Sequence, residues 1–407
     1  MMSSGRLSRA VFLKGAVGLA GAALAASSSR AAHAQRARMQ VPAMLGAAQA
    51  AQWMVYVGCY TTPDRNGHGT GISVFRMDAA TGDWTAVQVL EGVPNPSFLA
   101  LDPSQQHLYC VHGGNDFRQV SAFAIDAETG QLNHLNDQDC GGPNPVHLAV
   151  DPTDRALVVA DYNSGQVAAL PILADGTLGP LSDLAMLPGE PGPHRTEQTG
   201  SHPHNVPFDS AGHFVVVPDK GLDRIFVLRL DAAQAKLELN DPPFVQARRG
   251  AGPRHIAFHP SLPYAYAINE LDSTITNYGY DTDTGVLEPL EVLPSTPSDF
   301  TGDNTGAEIV VAPSGRFVYG SNRGHDSIGI FAVDADSGLL APVGWVPTGG
   351  KTPRNFSLDP SGRFLYVGNQ DSDTVVTFAV DGATGALTPT GQVVDTGSPV
   401  SIVFAAV

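Results

Sequence analysis

Ser398-Pro399-Val400-Ser401-Ile402-Val403-Phe404 stands near the end of the chain, and Met54-Val55-Tyr56-Val57-Gly58 stands well before it, after a long leader. The repeats between them give both stretches their meaning. One full unit reads Thr352-Pro353-Arg354-Asn355-Phe356-Ser357-Leu358-Asp359, Pro360-Ser361-Gly362-Arg363, then Phe364-Leu365-Tyr366-Val367-Gly368-Asn369. A turn at 370–374, an alternating run at 375–381 and Ala383-Thr384-Gly385-Ala386-Leu387 complete it. This pattern predicts four strands. Pro360 presets φ and Gly362 accepts positive φ in the first hairpin turn. In the second, Asp381 is expected to accept backbone N–H groups and Gly385 to adopt the left-handed conformation of a bulged loop. The same turn recurs at 78–82, 126–130, 281–285 and 334–338, with degraded copies at 175–176 and 231–236.

First strands of such units are expected at 95–102, 144–151, 202–209, 252–259, 306–312, 352–359 and 398–405. They recur at roughly 50 residues, the spacing of one four-stranded blade. Residues 398–404 read as a first strand with no successor, and 54–58 as a second strand with no predecessor. Joined, they make one blade, which closes a ring and removes exposed edges. The expected fold is therefore all-β, a seven-bladed β-propeller over 53–407 closed by its two terminal strands. A β-sandwich would leave the repeat unexplained.

Composition agrees. The chain has 407 residues, of which 44 are Gly and 31 Pro, spread along its length as short strands and tight turns require. Its net charge of −17 argues against nucleic acid as a partner, since a phosphate backbone would be repelled. An anionic small molecule would need a locally basic pocket, which makes the few Arg and His residues informative. Cys59, Cys110 and Cys140 match no metal spacing and read as small buried hydrophobes.

Residues 1–34 have the anatomy of an export signal. Arg6, Arg9 and Lys14 precede an apolar run at 16–26 and the small-residue site Ala32-His33-Ala34. That run is too short to span a bilayer, so no stable membrane association is expected once the signal is cleaved. Residues 8–14 are similar to a twin-arginine signal in which Ala10 replaces the second arginine. Residues 35–52 read as a flexible lead-in. The expected destination is the periplasm or the exterior.

In a propeller, chemistry gathers where inner strands begin and second strands end. The inner entries offer His147, His202, His204, Arg254, His255, Glu308, Arg354 and Asn355. The second-strand exits offer Asp161, Asp219, Lys220, Asn269, Glu270, Asn322, Arg323, Asn369 and Gln370, with His325 in a following loop. Burying such charges is costly unless they are paired or used. Each also has a structural reading: Arg254 and Arg323 as ties between blades, Glu270 as their partner, His204 as a turn residue. The other histidines, His112 and His259 among them, fit no converging position and read as surface or turn residues. No G-x-S-x-G elbow, zinc helix or phosphate loop is present, which leaves water as the nucleophile.

The strings GAGPRH (250–255), NELDST (269–274), AEI (307–309), SNRGHDSI (321–328), GGKTPRNF (349–356) and NQDSD (369–373) resemble the bacterial propeller-type lactonases. That group is the 6-phosphogluconolactonase or cycloisomerase 2 family, which also includes a fungal carboxymuconate-lactonizing enzyme. The resemblance covers the chain from the lead-in onward and is densest beyond residue 200. It implies a catalytic set of His204, Arg254, Glu270 and Arg323. The substrate-binding candidates are His202, His255, Asn269, Glu308, Asn322, His325, Arg354, Asn355, Asn369 and Gln370. The implied substrate is a small anionic lactone, with no cofactor or metal. In the family the third inner strand usually opens P-H-A-H, where this chain has His202-Pro203-His204-Asn205. A lactonizing cyclase and a non-enzymatic binding platform use the same scaffold, and fold alone does not choose among these readings.

Overall fold

A computed structural model describes residues 53–406. The export-signal and lead-in readings fall on residues 1–52, outside the described residues. From residue 53 the chain forms seven antiparallel sheets of the predicted propeller. Blade 1 runs from Pro96–Leu101 to Leu132–Asp139, and blade 2 from Pro145–Val150 to Asp183–Met186. Blade 3 spans Val215–Asp219, Arg224–Asp231 and Lys236–Gln246. Blade 4 begins at Pro253–Phe258, blade 5 at Thr305–Val311 and blade 6 at Pro353–Leu358. Blade 7 is the composite one. Pro399–Ala406 pairs antiparallel with Trp53–Cys59, which continues into Gly71–Met77 and Trp84–Glu91.

Blade 3 departs from expectation. Residues 202–209 match the inner-strand pattern of the other blades in sequence. They meet Val215–Asp219 only through isolated bridges, Pro203 with Asp219 and Phe208 with Val215. Proline explains it: Pro203, Pro207 and Pro218 have no N–H, so the ladder keeps only bonds such as His204 N to Pro218 O and Val216 N to Pro207 O, each 3.0 Å.

The Asp-Gly turns behave as the sequence predicts. Gly82, Gly130, Gly285, Gly338 and Gly385 have φ between +70° and +79°. Asp381 Oδ1 accepts the N–H groups of Ala383 and Thr384. These turns also join blades. Five second strands carry a buried tyrosine whose hydroxyl donates to the turn glycine's carbonyl on the next blade. Tyr56 reaches Gly130, Tyr109 reaches Gly176, Tyr266 reaches Gly338, Tyr319 reaches Gly385, and Tyr366 reaches Gly82 across the ring closure, all at 2.8–3.1 Å. Around each bond Val, Leu, Ile and Phe from adjoining second and third strands form buried clusters between neighbouring blades. The three cysteines are free and buried.

The Tyr319–Gly385 contact separates bonding from packing. Tyr319→Phe removes one buried hydrogen bond and should cost about 1 kcal/mol. Gly385→Ala puts a Cβ 2.5 Å from the Phe317 ring at φ +75° and should cost roughly 2–4 kcal/mol. Urea denaturation of both variants checks the order; a smaller loss for Gly385→Ala would show that the turn does not seat the next blade as described.

Candidate functional site

Inner strands do not enter the channel smoothly. In blades 1, 2, 4, 6 and 7 a proline opens the strand (Pro96, Pro145, Pro253, Pro353, Pro399), and the next residue is skipped in the pairing with the second strand. The residue before each proline (Asn95, Asn144, Gly252, Thr352, Ser398) is left-handed, with φ from +42° to +61°. The skipped residues are Ser97, Val146, Arg254, Arg354 and Val400. Such a bulge turns one side chain out of the strand's alternation, here toward the channel. His204 holds the matching place after Pro203, and blade 5 skips around Ala307 and Glu308.

Second strands contribute through the residue at or just past their exit. Tyr60, Tyr162, Lys220, Glu270 and Arg323 hold this place and line a cavity of about 160 Å³ with Arg65, Asn144, Val146, His204 and Arg354. Beneath it lies a narrow extension of about 10 Å³ between Phe98, Arg254, His255, Glu308, Asn355 and Val400. Two larger grooves of about 590 and 660 Å³ lie on the flanks, between blades 7 and 1 and between blades 4 and 5. Neither is lined by an arginine or lysine, and the convergent chemistry is in the smaller cavity.

Glu270 organises its floor. One carboxylate oxygen takes Lys220 Nζ at 2.8 Å; the other lies 3.0 Å from both Arg254 Nε and Arg323 Nη2. Burial alone would raise this carboxyl's pKa, but Arg323, Lys220 and Arg254 overcome burial and hold it far below the usual range. It is fully ionised and a poor proton acceptor. Of its two expected roles, the structure shows the arginine partner. Lys220 also reaches Glu197 at 2.8 Å, and its pKa is raised despite burial, chiefly by Glu270. Arg254 donates to Ala307 O at 2.6 Å and Arg323 to Gly306 O at 3.0 Å, so both tie blades together. Burial, Arg323 and Arg354 push Arg254 down to about 9, which still leaves it charged at neutral pH.

His204 is the opposite case. It is buried, its Nδ1 has no hydrogen-bond partner among the described residues, and its ring lies 5.3 Å from His255 and 5.6 Å from Tyr162. Burial, followed by the charge of Arg254, places its pKa well below 6.5. A neutral imidazole therefore faces a cluster of cations. His255 is held instead: its Nδ1 lies 2.8 Å from Glu308, whose second oxygen accepts Asn355 Nδ2 at 2.7 Å.

Of the residues expected from the sequence, His204, Arg254, Glu270, Arg323, His255, Glu308, Arg354 and Asn355 converge on the cavity and its extension. His202 stacks on Tyr162 at 4.5 Å and backs the wall. Asn269, Asn322 and Asn369 lie elsewhere. Each is one residue short of the cavity-facing place, points the other way along the strand, and is clipped to Thr274 and Thr276, to Ser295, and to Thr348 respectively. Gln370 bonds Asp371, and His325 bonds Ser327 against the Phe300 ring, both off the cavity. His112, read as a surface or turn residue, is buried at the second-strand exit of blade 1, bonded to Pro94 O and Ser121 Oγ. His259, also buried, is a turn residue as read: its Nδ1 accepts the N–H groups of Ser261 and Leu262.

Tyr60, Arg65, Asn144, Val146 and Tyr162 were missed. Counting one residue beyond each second strand would have found both tyrosines, and the residue after each entry proline would have found Val146. Arg65 lies in a short 3-10 turn, Pro63–Arg65, outside the repeat, where no periodic signal marks it.

The comparisons with known proteins bear on the fold and the family. A family model described as a seven-bladed β-propeller lactonase matches residues 54–404. The chain is 35% identical over 306 residues to the 6-phosphogluconolactonase of Bacillus subtilis, covering 75% of this chain and 84% of that protein. It is 33% identical over 314 residues to the 6-phosphogluconolactonase of Formosa agariphila, covering 74% and 85%. Among solved structures, the periplasmic gluconolactonase of Pseudomonas aeruginosa superposes with a TM-score of 0.80 at 31% identity, over 87% of this chain and 99% of that one. Named activities in these relatives support a hydrolase of lactonase type, and the chain belongs to the seven-bladed β-propeller lactonase family.

Proposed function

We propose that this chain is an exported lactonase that hydrolyses a sugar-acid lactone by activating water at His204. The observation that carries the reading is the neutral, unpartnered His204 imidazole facing Lys220 and Arg323 in one cavity. Water held by the imidazole loses a proton to it as the oxygen adds to the lactone carbonyl. Negative charge then develops on the carbonyl oxygen, where Lys220 and Arg323 oppose it. The carbonyl–ring-oxygen bond breaks, and the imidazolium returns its proton to the departing alkoxide, giving the hydroxy acid. A strained cyclic ester needs only modest help of this kind. Glu270 holds the three cations and takes no proton.

A base with a pKa well below neutrality is weak, but an anionic substrate entering the cavity raises it. Negative charge nearby favours the imidazolium, so His204 gains proton affinity when substrate is bound. Export is supported by the leader's anatomy at residues 1–34 and by the periplasmic relative.

The first test is pH-stat hydrolysis of 6-phosphogluconolactone, gluconolactone and muconolactone. At least one should turn over well above background, with His204→Gln lowering kcat about 10²–10⁴-fold while circular dichroism stays unchanged. A flat trace on all three would sink the proposal. Acid-side dependence supplies a second test. Because His204 must be neutral and its pKa lies well below 6.5, kcat/KM should hold from neutral pH to below 6.5 and fall only in stronger acid. A fall centred at or above 6.5 would rule His204 out as the base.

Stability has its own pH signature. His112, His147, His204 and His255 are all shifted below 6.5 by burial. As pH falls through 6.5 the unfolded chain takes up protons that the folded chain refuses, so stability present above that pH is progressively lost below it. Asp161 and Asp219, raised by burial, push the other way, so the histidine share is read as a difference. Between pH 7.5 and 5.5 the urea midpoint of His147→Gln should fall less, or rise more, than that of the parent chain, and an identical pH response would contradict the neutral assignment of His147.

A further inference from the structure

Positive charge in the cavity is of two kinds. Lys220, Arg254 and Arg323 share Glu270, and Lys220 has Glu197 as well. Arg65 and Arg354 have no carboxylate partner among the described residues. Arg354 makes no hydrogen bond there, and Arg65 donates only to the amide oxygen of Asn144, at 2.6 Å. Both pack on one ring: the guanidinium carbons lie 5.5 and 5.3 Å from the centroid of Tyr60, which is 3% exposed. Both line the same cavity as His204.

Two like charges gathered on one buried ring repel each other and lose part of their hydration. Cation–π contact offsets part of that cost for each. Planar guanidinium forks held on an aromatic face and open to a cavity are preorganised to bind a tetrahedral or planar oxyanion through paired N–H donors. The inner cations cannot do this as freely, since Glu270 and the carbonyls of Ala307 and Gly306 already take their donors.

We infer that Arg65 and Arg354, mounted on Tyr60, form the subsite for a terminal phosphate or carboxylate on the substrate, separate from the Glu270-bound cluster that faces the reacting carbonyl. This rests on the lactonase reading only for turnover; the anion subsite stands by itself. It orients the substrate with its anionic tail on blades 6 and 7 and its lactone toward His204 and Lys220 on blade 3. It also makes the loop around Arg65, outside the repeat, a determinant of specificity.

Calorimetric titration of the full chain with 6-phosphogluconate, glucarate and gluconate tests it without turnover. A second anionic end should tighten binding at least tenfold over gluconate, and the ranking of 6-phosphogluconate against glucarate tells phosphate from carboxylate. Arg65→Met and Arg354→Met should each erase most of that preference, Arg65→Lys and Arg354→Lys should restore part of it, and His204→Gln should leave it intact. Thermal melts confirm that each variant is folded. No preference in the parent chain, or a preference that survives both Met variants, overturns the subsite. A preference that behaves as expected in a chain that hydrolyses no lactone sinks the lactonase reading and leaves the subsite standing.

Discussion

Tyrosine hydroxyls bonded to the glycine carbonyls of the next blade set the spacing on which everything else in the molecule depends. Tyr366 to Gly82 closes the ring just as Tyr319 to Gly385 joins two ordinary blades. Each bond sits where a left-handed glycine lets the neighbouring backbone come close, so the bond adds to the packing at the same point. Where the tyrosine is absent on blade 3, Val216 holds its place and the facing turn is unchanged: Phe214 packs on Gly285 as Phe364 packs on Gly82 and Phe317 on Gly385. The polar groups at the channel mouth come from different blades, and only this fixed spacing makes their separations definite.

The Glu270 cluster uses that spacing. Lys220, Arg254 and Arg323 belong to blades 3, 4 and 5, and one carboxylate holds all three within 3.0 Å. Buried charges of one sign would drive these blades apart; the carboxylate turns the repulsion into a brace. On the proposed mechanism, the same contact removes Glu270 from acid–base chemistry and leaves the site's proton traffic to His204. Structural and chemical roles are thus divided between two neighbouring residues by their partners alone.

Much of this was legible in the sequence because the repeat is periodic. Six of the seven inner strands, the Asp-Gly turns and the closure of 398–405 on 54–58 all follow from turn chemistry and spacing. The failures come from places where alternation decides. Asn269, Asn322 and Asn369 look like site residues beside Glu270 and Arg323, yet a shift of one residue on a strand reverses the side chain. Proline had the opposite effects at different entries: it marked bulges in five blades and dissolved the inner strand of blade 3. Tyr60 and Tyr162 were hidden because an aromatic residue near a strand end reads as core. Arg65 was hidden because it belongs to no repeat.

The entry bulge has a consequence for how such a molecule changes over generations. A skipped residue falls outside the strand's alternation, so its side chain answers to the channel rather than to the packing between blades. Arg254, His204 and Arg354 fill this place on blades 4, 3 and 6, while Ser97, Val146 and Val400 fill it on blades 1, 2 and 7 with side chains that bring no charge. At these entry places the channel mouth is therefore lopsided, cationic or imidazole-bearing along one arc and uncharged along the other. The uncharged entry places at Ser97, Val146 and Val400 are interchangeable sockets, through which a single scaffold can acquire a new substrate while the Glu270 brace stays untouched.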